Sequence, residues 1–456
     1  MALTEAGLRV RLFEKRPHLG GRATSYWLPD GSHVDNCQHV TMGCCTNLAD
    51  FYSRVGASHK IRFYNRLFFL DRDGRRGVIE SSVLPAPFHL AHSFFFFPSL
   101  DWADKRGIAR TMFRIVRTAG WPPEAENVSM LDWLRRQGQT QQAIDRFWRV
   151  VLVSALDEEL DRTDARYGVE VFWKAFLANK KGFEIGIPAV PLAELYDGCQ
   201  RSIVARGGEV RTRANVCEIQ VSDGRVGAVA LADGSSESAD FYLLAVPRDV
   251  ISDVLPENVI ESSELFRGLR NLRVSPITGV HFWLDRPVMT DPFVTLLDRT
   301  VQWVFNKTRL YGADSMADGG AGMSGGQYLQ LVISASYDLV PLSRQEITTL
   351  CWRELLEAFP SARDAQLVKA TVVKETAATF SPAPGCDRWR PGPSTGMENL
   401  FLAGDWTATG WPATMESAVR SGYLAAEEIA GRAGERRPFL QPDLPVQGLA
   451  RRWMWA

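Results

Sequence analysis

The chain has 456 residues, 45% of them hydrophobic and 23% charged, an ordinary globular balance over a length that suits two packed domains better than one. Its 52 basic and 53 acidic residues leave a net charge of -1, which argues against nucleic acid as the main partner. Seven cysteines, an odd number with no C-x-x-C and no signal-peptide pattern, predict reduced thiols in the cytoplasm, and the lack of H-E-x-x-H argues against a metal enzyme.

The first element is a strand over "LRVRLFE", where Leu8, Val10 and Leu12 alternate with Arg9 and Arg11. Gly7 before it suits the residue just past a helix, and Glu14 closes it. In a dinucleotide-binding fold, a carboxylate at this place takes the ribose hydroxyls about 20 residues after a G-x-G-x-x-G turn. No such turn precedes the strand, so the reading places the first strand and its glycine turn upstream of residue 1. It further expects a chain lacking them to be unstable or flavin-free.

Asp30-Gly31 and Asp73-Gly74 each sit between apolar runs and predict hairpins. The most apolar stretch, "VLPAPFHLAHSFFFFPSL" at 83–100, is broken by three prolines and two histidines and falls short of the ~20 apolar residues of a membrane span. On a helix over the next twenty residues, Ile108, Met112, Ile115 and Val116 share one face, with Arg106, Arg110, Arg114 and Arg117 largely elsewhere. Four phenylalanines beside such a helix suit a protein lying on a bilayer; a core helix with an aromatic cluster reads equally well.

Helical patterns follow in "QQAIDRFWRVVLVSAL" and "ARYGVEVFWKAFLANK", separated by "LDEELD". Asp157 and Asp161 there read as a solvated helix end rather than a diphosphate site. A β-meander is predicted over 207–247, turning at Asp223-Gly224 and Asp233-Gly234. The mixed segment 250–385 has its clearest strands in "PITGVHFWLDRPV" and "GGQYLQLVISAS", with turns at "GMSGG" and "PAPG".

The closing stretch, "NLFLAGDWTATGWPATMESAVRSGYLAAEEIAG" at 399–431, predicts a buried strand over 400–403 and a tight turn at Gly404. Asp405 then stands at the strand's carboxyl end, where open α/β sheets bind ligands. A helix starts near Pro412, with free N–H groups and positive potential at its first turn, and Ser421 and Gly422 are small enough for close packing. An ordinary strand-loop-helix with a surface aspartate reads equally well.

Taken together, "EKRPHLGGR" at 14–22, the meander through Val216, and "NLFLAGDW" followed by the "GWPATME" helix resemble the flavin-containing amine oxidases and carotenoid desaturases. Within that superfamily "VDNCQHVTMGC" and "AGDWTATGWPATMESAVRSGYLAA" are most similar to the hydroxysqualene dehydroxylases, also described as squalene-associated FAD-dependent desaturases. The resemblance spans nearly the whole chain.

It implies an α/β fold in which a Rossmann-like FAD-binding domain (residues 1–80, 190–250 and 390–435) is interleaved with an α+β substrate domain (81–189 and 251–389), followed by a tail at 436–456. Carried over by residue, Glu14 would hold the adenosine ribose, with Arg16 beside the adenosine. Gly20, Gly21 and Arg22 would turn against the pyrophosphate and flavin, and Val216 would meet the adenine. Gly404 and Asp405 would approach the ribityl-pyrophosphate, and Ala413, Thr414 and Met415 the ring, whose reduced charge the helix start would stabilise. Cys37 stands where the superfamily usually has glycine.

The implied reaction removes the allylic hydroxyl of hydroxysqualene and delivers hydride to give squalene, with His39 or Gln38 as candidate hydrogen-bond donor; structural hydrogen bonding is the competing reading of both. The implied partners are an isoprenoid substrate, an electron donor of unknown identity and a membrane surface reached from the cytoplasm. The alternatives are a polyprenyl desaturase, an amine oxidase, or a flavin-free lipid-binding or scaffolding protein.

Overall fold

A computed structural model describes residues 1–312 and 325–454. Two short parallel ladders hold the ends of the chain. Arg11–Glu14 pairs with Glu209–Thr212, Arg11 opposite Glu209 and Glu14 opposite Thr212. Tyr242–Leu244 pairs with Leu400–Leu402, whose three residues are wholly buried, as parallel strands require. Among the described residues the two ladders share no strand hydrogen bond. The meander is a three-stranded antiparallel sheet (Val216–Ser222, Arg225–Leu231, Ser236–Glu237). Asp223 and Gly224 both take positive φ at its first turn, the geometry that matches hairpin twist.

The long helix Met415–Arg432 packs on Thr46–Arg54 and on the N-terminal helix Ala2–Glu5. Gly422 has open space where a Cβ would stand, so the close approach predicted there is absent. Ser421 instead accepts the Gly404 N–H at 2.8 Å and ties the helix to the end of the buried strand.

The largest sheet has seven strands in the order Leu367–Phe380, Val274–Leu284, Gln327–Ile333, Trp303–Asn306, Phe293–Leu296, Arg66–Leu70, Arg76–Glu80. Every neighbour is antiparallel except Phe293–Leu296 beside Arg66–Leu70. Both predicted hairpins form, at 25–35 and 66–80. Residues 102–177 are mainly helical, with loops at 118–122, 126–129, 137–140 and 157–164. Trp102–Arg117 starts with a capping box between Asp101 and Asp104 and buries Ile108, Ile115 and Val116. The helices over 141–156 and 165–177 each contain a π turn, at Ile144–Trp148 and Trp173–Leu177.

"LDEELD" is only partly a solvated end. Asp161 is exposed, but Asp157 and Glu158 are buried: Asp157 accepts the Ala335 N–H at 2.8 Å and the Thr379 hydroxyl at 2.9 Å, and Glu158 the Tyr337 hydroxyl at 2.7 Å. The chain ends this helix in the left-handed region at Asp157, which turns both carboxyl groups inward, and burial raises the Asp157 pKa well above the usual carboxylate value. The turn at "PAPG" forms; most of "GMSGG" lies outside the described residues.

Candidate functional site

The carboxyl ends of the parallel strands carry most of the predicted residues. Glu14 ends its strand and accepts the Arg16 N–H at 2.8 Å; Arg16 in turn donates to the Gly21 carbonyl at 2.9 Å. Two residues before Val216, Ala214 donates its N–H to the Glu14 carbonyl at 2.9 Å, so Glu14, Arg16, Gly21 and Val216 lie along one edge. Gly20 has φ 117°, and a Cβ on it would stand 2.7 Å from the Tyr196 ring. Only glycine fits there.

The Arg22 guanidinium pairs with the Asp405 carboxylate and donates to the Ala378 carbonyl at 2.6 Å. Gly404 takes φ 146°, its Cβ position filled by the Trp406 indole, and Trp406 Nε1 donates to the Val246 carbonyl at 3.0 Å. That bond joins the ends of the second ladder. Thr414 caps the long helix by accepting the Ser417 N–H at 3.1 Å, Ser417 Oγ donates to the Asp405 carbonyl at 3.1 Å, Ala413 is buried, and Met415 lies against the Tyr52 hydroxyl.

Arg390, which belongs to no motif, holds this loop, and Glu416, the last residue of "GWPATME", anchors the helix that follows it. Arg390, 6% exposed, donates to the carbonyls of Thr407 at 2.6 Å and Trp411 at 2.7 Å and, more weakly, to those of Asp405 and Trp406. Its planar fork can meet several carbonyls at once. Glu416 is buried and accepts N–H groups of Asn47 (3.2 Å) and Leu48 (2.8 Å) at the start of the Thr46–Arg54 helix; burial raises its pKa against those bonds.

The predicted donors lie on the turn Asn36–His39. Asn36 Nδ2 donates to the Arg22 carbonyl, which brings this turn and the Arg22–Asp405 pair into one site. His39 Nδ1 is 3.2 Å from the Cys37 carbonyl. A carbonyl only accepts, so Nδ1 carries the hydrogen and Nε2 of the neutral ring is the basic atom. Burial lowers the His39 pKa, so neutral His39 is an acceptor at Nε2 and donates there only when protonated. Burial also pushes the Cys37 thiol far up, which removes it as a nucleophile.

Beneath the turn, Asp35 and Lys307 form an ion pair at 2.8 Å, their side chains 1% and 0% exposed. Asp35 also accepts the Ser25 hydroxyl at 2.6 Å and the Leu192 N–H at 3.0 Å. Burial works to raise its pKa, and Lys307, Leu192 and Ser25 outweigh it to hold it at about 2. Lys307 also donates to Gln38 Oε1 at 2.8 Å, and Gln38 Nε2 to the His39 carbonyl at 3.0 Å.

A cavity of about 220 Å3 opens in the helical layer, its wall made by Phe94, Phe147, Phe172, Phe176 and other apolar side chains, with Arg146 the charged exception. Phe176 packs in one cluster with Trp411 of the Arg390-held loop. At the other end Phe88 and Phe113 line the cavity and are 38% and 47% exposed; Trp453 packs edge-on against both, at 5.4 Å between ring centres.

The family model described as flavin containing amine oxidoreductase matches residues 1–430. The chain belongs to that family. It is 27% identical to a zeta-carotene desaturase of Synechocystis sp. over 94% of this chain and 93% of the relative, and 26% identical to a 15-cis-phytoene desaturase of Solanum lycopersicum over 94% and 74%. Among solved structures, an oxidoreductase from Methanosarcina mazei superposes with TM-score 0.71 at 18% identity, covering 94% of this chain and 96% of that one. A cyclohexylamine oxidase from Brevibacterium oxydans gives 0.66 at 14%, covering 95% and 96%.

The chain is therefore an FAD-dependent oxidoreductase. The residues present fit the group: Glu14 is an acceptor at a strand end, Gly21 has open space where a Cβ would stand, and the Thr414-capped helix starts beside the Asp405 loop with its positive end.

Proposed function

We propose that this oxidoreductase acts on an apolar C30 isoprenoid, removing the allylic hydroxyl of hydroxysqualene to give squalene. Two observations carry the proposal: an aromatic-walled cavity whose Phe176 packs in one cluster with Trp411 of the loop at 405–414, and a titratable nitrogen, His39 Nε2, on the turn that Asn36 ties to Arg22. A saturable apolar wall suits a hydrocarbon chain, and a departing hydroxyl needs one proton.

Reduced FAD, when bound, would supply the hydride. In this reading Glu14, Arg16, Arg22, Val216 and Asp405 hold the cofactor, with Ala413, Thr414 and Met415 at the ring. His39, protonated, donates from Nε2 to the hydroxyl oxygen, the carbon–oxygen bond breaks, and water leaves; carbon gains the hydride. An electron donor would be needed to reduce the flavin again. The short ladders and the Met415–Arg432 helix form the flavin-holding part, and the seven-stranded sheet with the helical layer forms the substrate part, which takes in residues 66–80 that the sequence reading put with the flavin.

Substrate enters from a bilayer. Phe95, Phe96, Trp102 and Phe113 are exposed next to Lys105, Arg106 and Arg110, an apolar and basic surface suited to anionic lipid, and Phe113 also lines the cavity. No helix among the described residues is long and apolar enough to cross the membrane.

Desaturation of a polyene is the second reading. The neutral His39 tautomer favours it, because a desaturase must accept a proton, and so do the names of the carotene and phytoene desaturases above. Anaerobic incubation of the FAD-loaded chain with dithionite and hydroxysqualene tests the first reading through squalene formation. Failure there, with phytoene or zeta-carotene dehydrogenated under oxidising conditions, would select the second.

A further inference from the structure

We infer that Lys307 is a positioning residue for the reacting centre: it fixes the amide of Gln38, closes the Cys37–His39 turn, and thereby holds His39 in one tautomer. The inference rests on the reading that this turn faces the substrate.

An ammonium group has only donors, so it dictates which end of the Gln38 amide it meets. Gln38 must present Oε1 to Lys307, and Nε2 is left to donate to the His39 carbonyl. The same turn brings the Cys37 carbonyl to His39 Nδ1. Neutral partners such as glutamine or serine could bond either end of an amide and would leave the turn two choices.

The lysine sits at the end of the strand Trp303–Asn306, in the short helix Lys307–Tyr311 that Asn306 caps. It reaches from the seven-stranded sheet to Asp35 on the hairpin strand His33–Asp35, and it also lies 4.1 Å from the centre of the Tyr311 ring. Burying a lone lysine is costly. Asp35 compensates the charge, and Gln38 receives the orientation.

The groups whose charges act on His39 are Asp35, Arg22 and Lys307. Asp35 and Lys307 act in opposite directions, so neutralising both leaves the electrostatics nearly balanced and removes the positioning bond. K307M alone strands the buried Asp35 and is expected to destabilise the fold. D35N/K307M strands no charge and is the decisive variant.

With histidine labelled in 15N, long-range proton–nitrogen correlation spectra read the tautomer of His39, identified among the seven histidines by its loss in H39N. The expected result is a predominant Nδ1–H form in the parent protein and, in D35N/K307M, a bias weakened by roughly fivefold, the worth of one net hydrogen bond. Turnover should fall roughly tenfold or more at unchanged KM. An unchanged tautomer in a folded double variant overturns the inference, and so does a changed tautomer with unchanged turnover. Absence of turnover of both hydroxysqualene and zeta-carotene by the parent protein refutes the functional reading instead, and is seen before any variant is made.

Discussion

Arg390→Met should loosen the loop at 405–411 and lower both stability and FAD affinity. Two of the carbonyl contacts of Arg390 are short, to Thr407 at 2.6 Å and Trp411 at 2.7 Å, and a hydrogen bond from a charged donor contributes about 1.5–3 kcal/mol, so losing both costs roughly 3–6 kcal/mol. At about 2.1 cal/mol/K per residue, a chain of this length has an unfolding entropy near ~1 kcal/mol/K, so each kcal/mol moves the midpoint by about 1 °C. Calorimetry should show R390M melting about 3–6 °C below the parent. R390K should fall between them, because one ammonium can replace Nη2, which makes both short bonds, but cannot also reach Trp406 and Tyr167 as Nε and Nη1 do. Titration of FAD by fluorescence quenching should show about a tenfold loss of affinity for each ~1.4 kcal/mol of loop order forfeited. A Tm for R390M within about 1 °C of the parent, together with unchanged FAD affinity, would refute the loop-holding role.

The sign of the pH dependence separates the two reactions. Dehydroxylation needs protonated His39, so kcat/KM should rise as pH falls toward a pKa that burial keeps below the usual 6.5; desaturation needs the neutral ring and gives the opposite slope, and H39N should abolish either limb. Burial holds His89 at about 4 and His281 at about 3. Both stay neutral in the fold while the unfolded chain takes up protons near 6.5. Their stability contribution is therefore complete above about pH 6.5 and declines as pH falls through 4 toward 3, and thermal melts of H89L across that range should show a shallower decline than the parent. F95S/F96S/W102S should lose co-sedimentation with anionic vesicles while keeping its melting temperature, and retained sedimentation would remove this surface from lipid contact.

The hairpins at Asp30-Gly31 and Asp73-Gly74 were legible because turn chemistry is local, and the helix Trp102–Arg117 because its apolar residues keep one face. The parallel pairing of residues 11–14 with 209–212 was not legible, since it joins segments separated by the whole helical layer. For the same reason Arg390 and Lys307 carried no signal: each matters through partners distant in sequence, and "RWRPG" and "FNKTR" look like ordinary loop or strand-end residues. "LDEELD" misled because a carboxylate is normally solvated, and only the left-handed turn at Asp157 reveals where it goes. Arg22 and Asp405 were both picked out by motif, whereas their pairing required the fold.

The aromatic cavity has a kinetic implication. Its volume of about 220 Å3 is below the roughly 300–1,000 Å3 of sites that enclose ordinary ligands, while a thirty-carbon chain is at least of that class. On the proposed C30 reading, uptake waits on rotation of rings such as Phe147, Phe172 and Trp453, and the observed association rate should level off at high substrate concentration at the frequency with which those rings open.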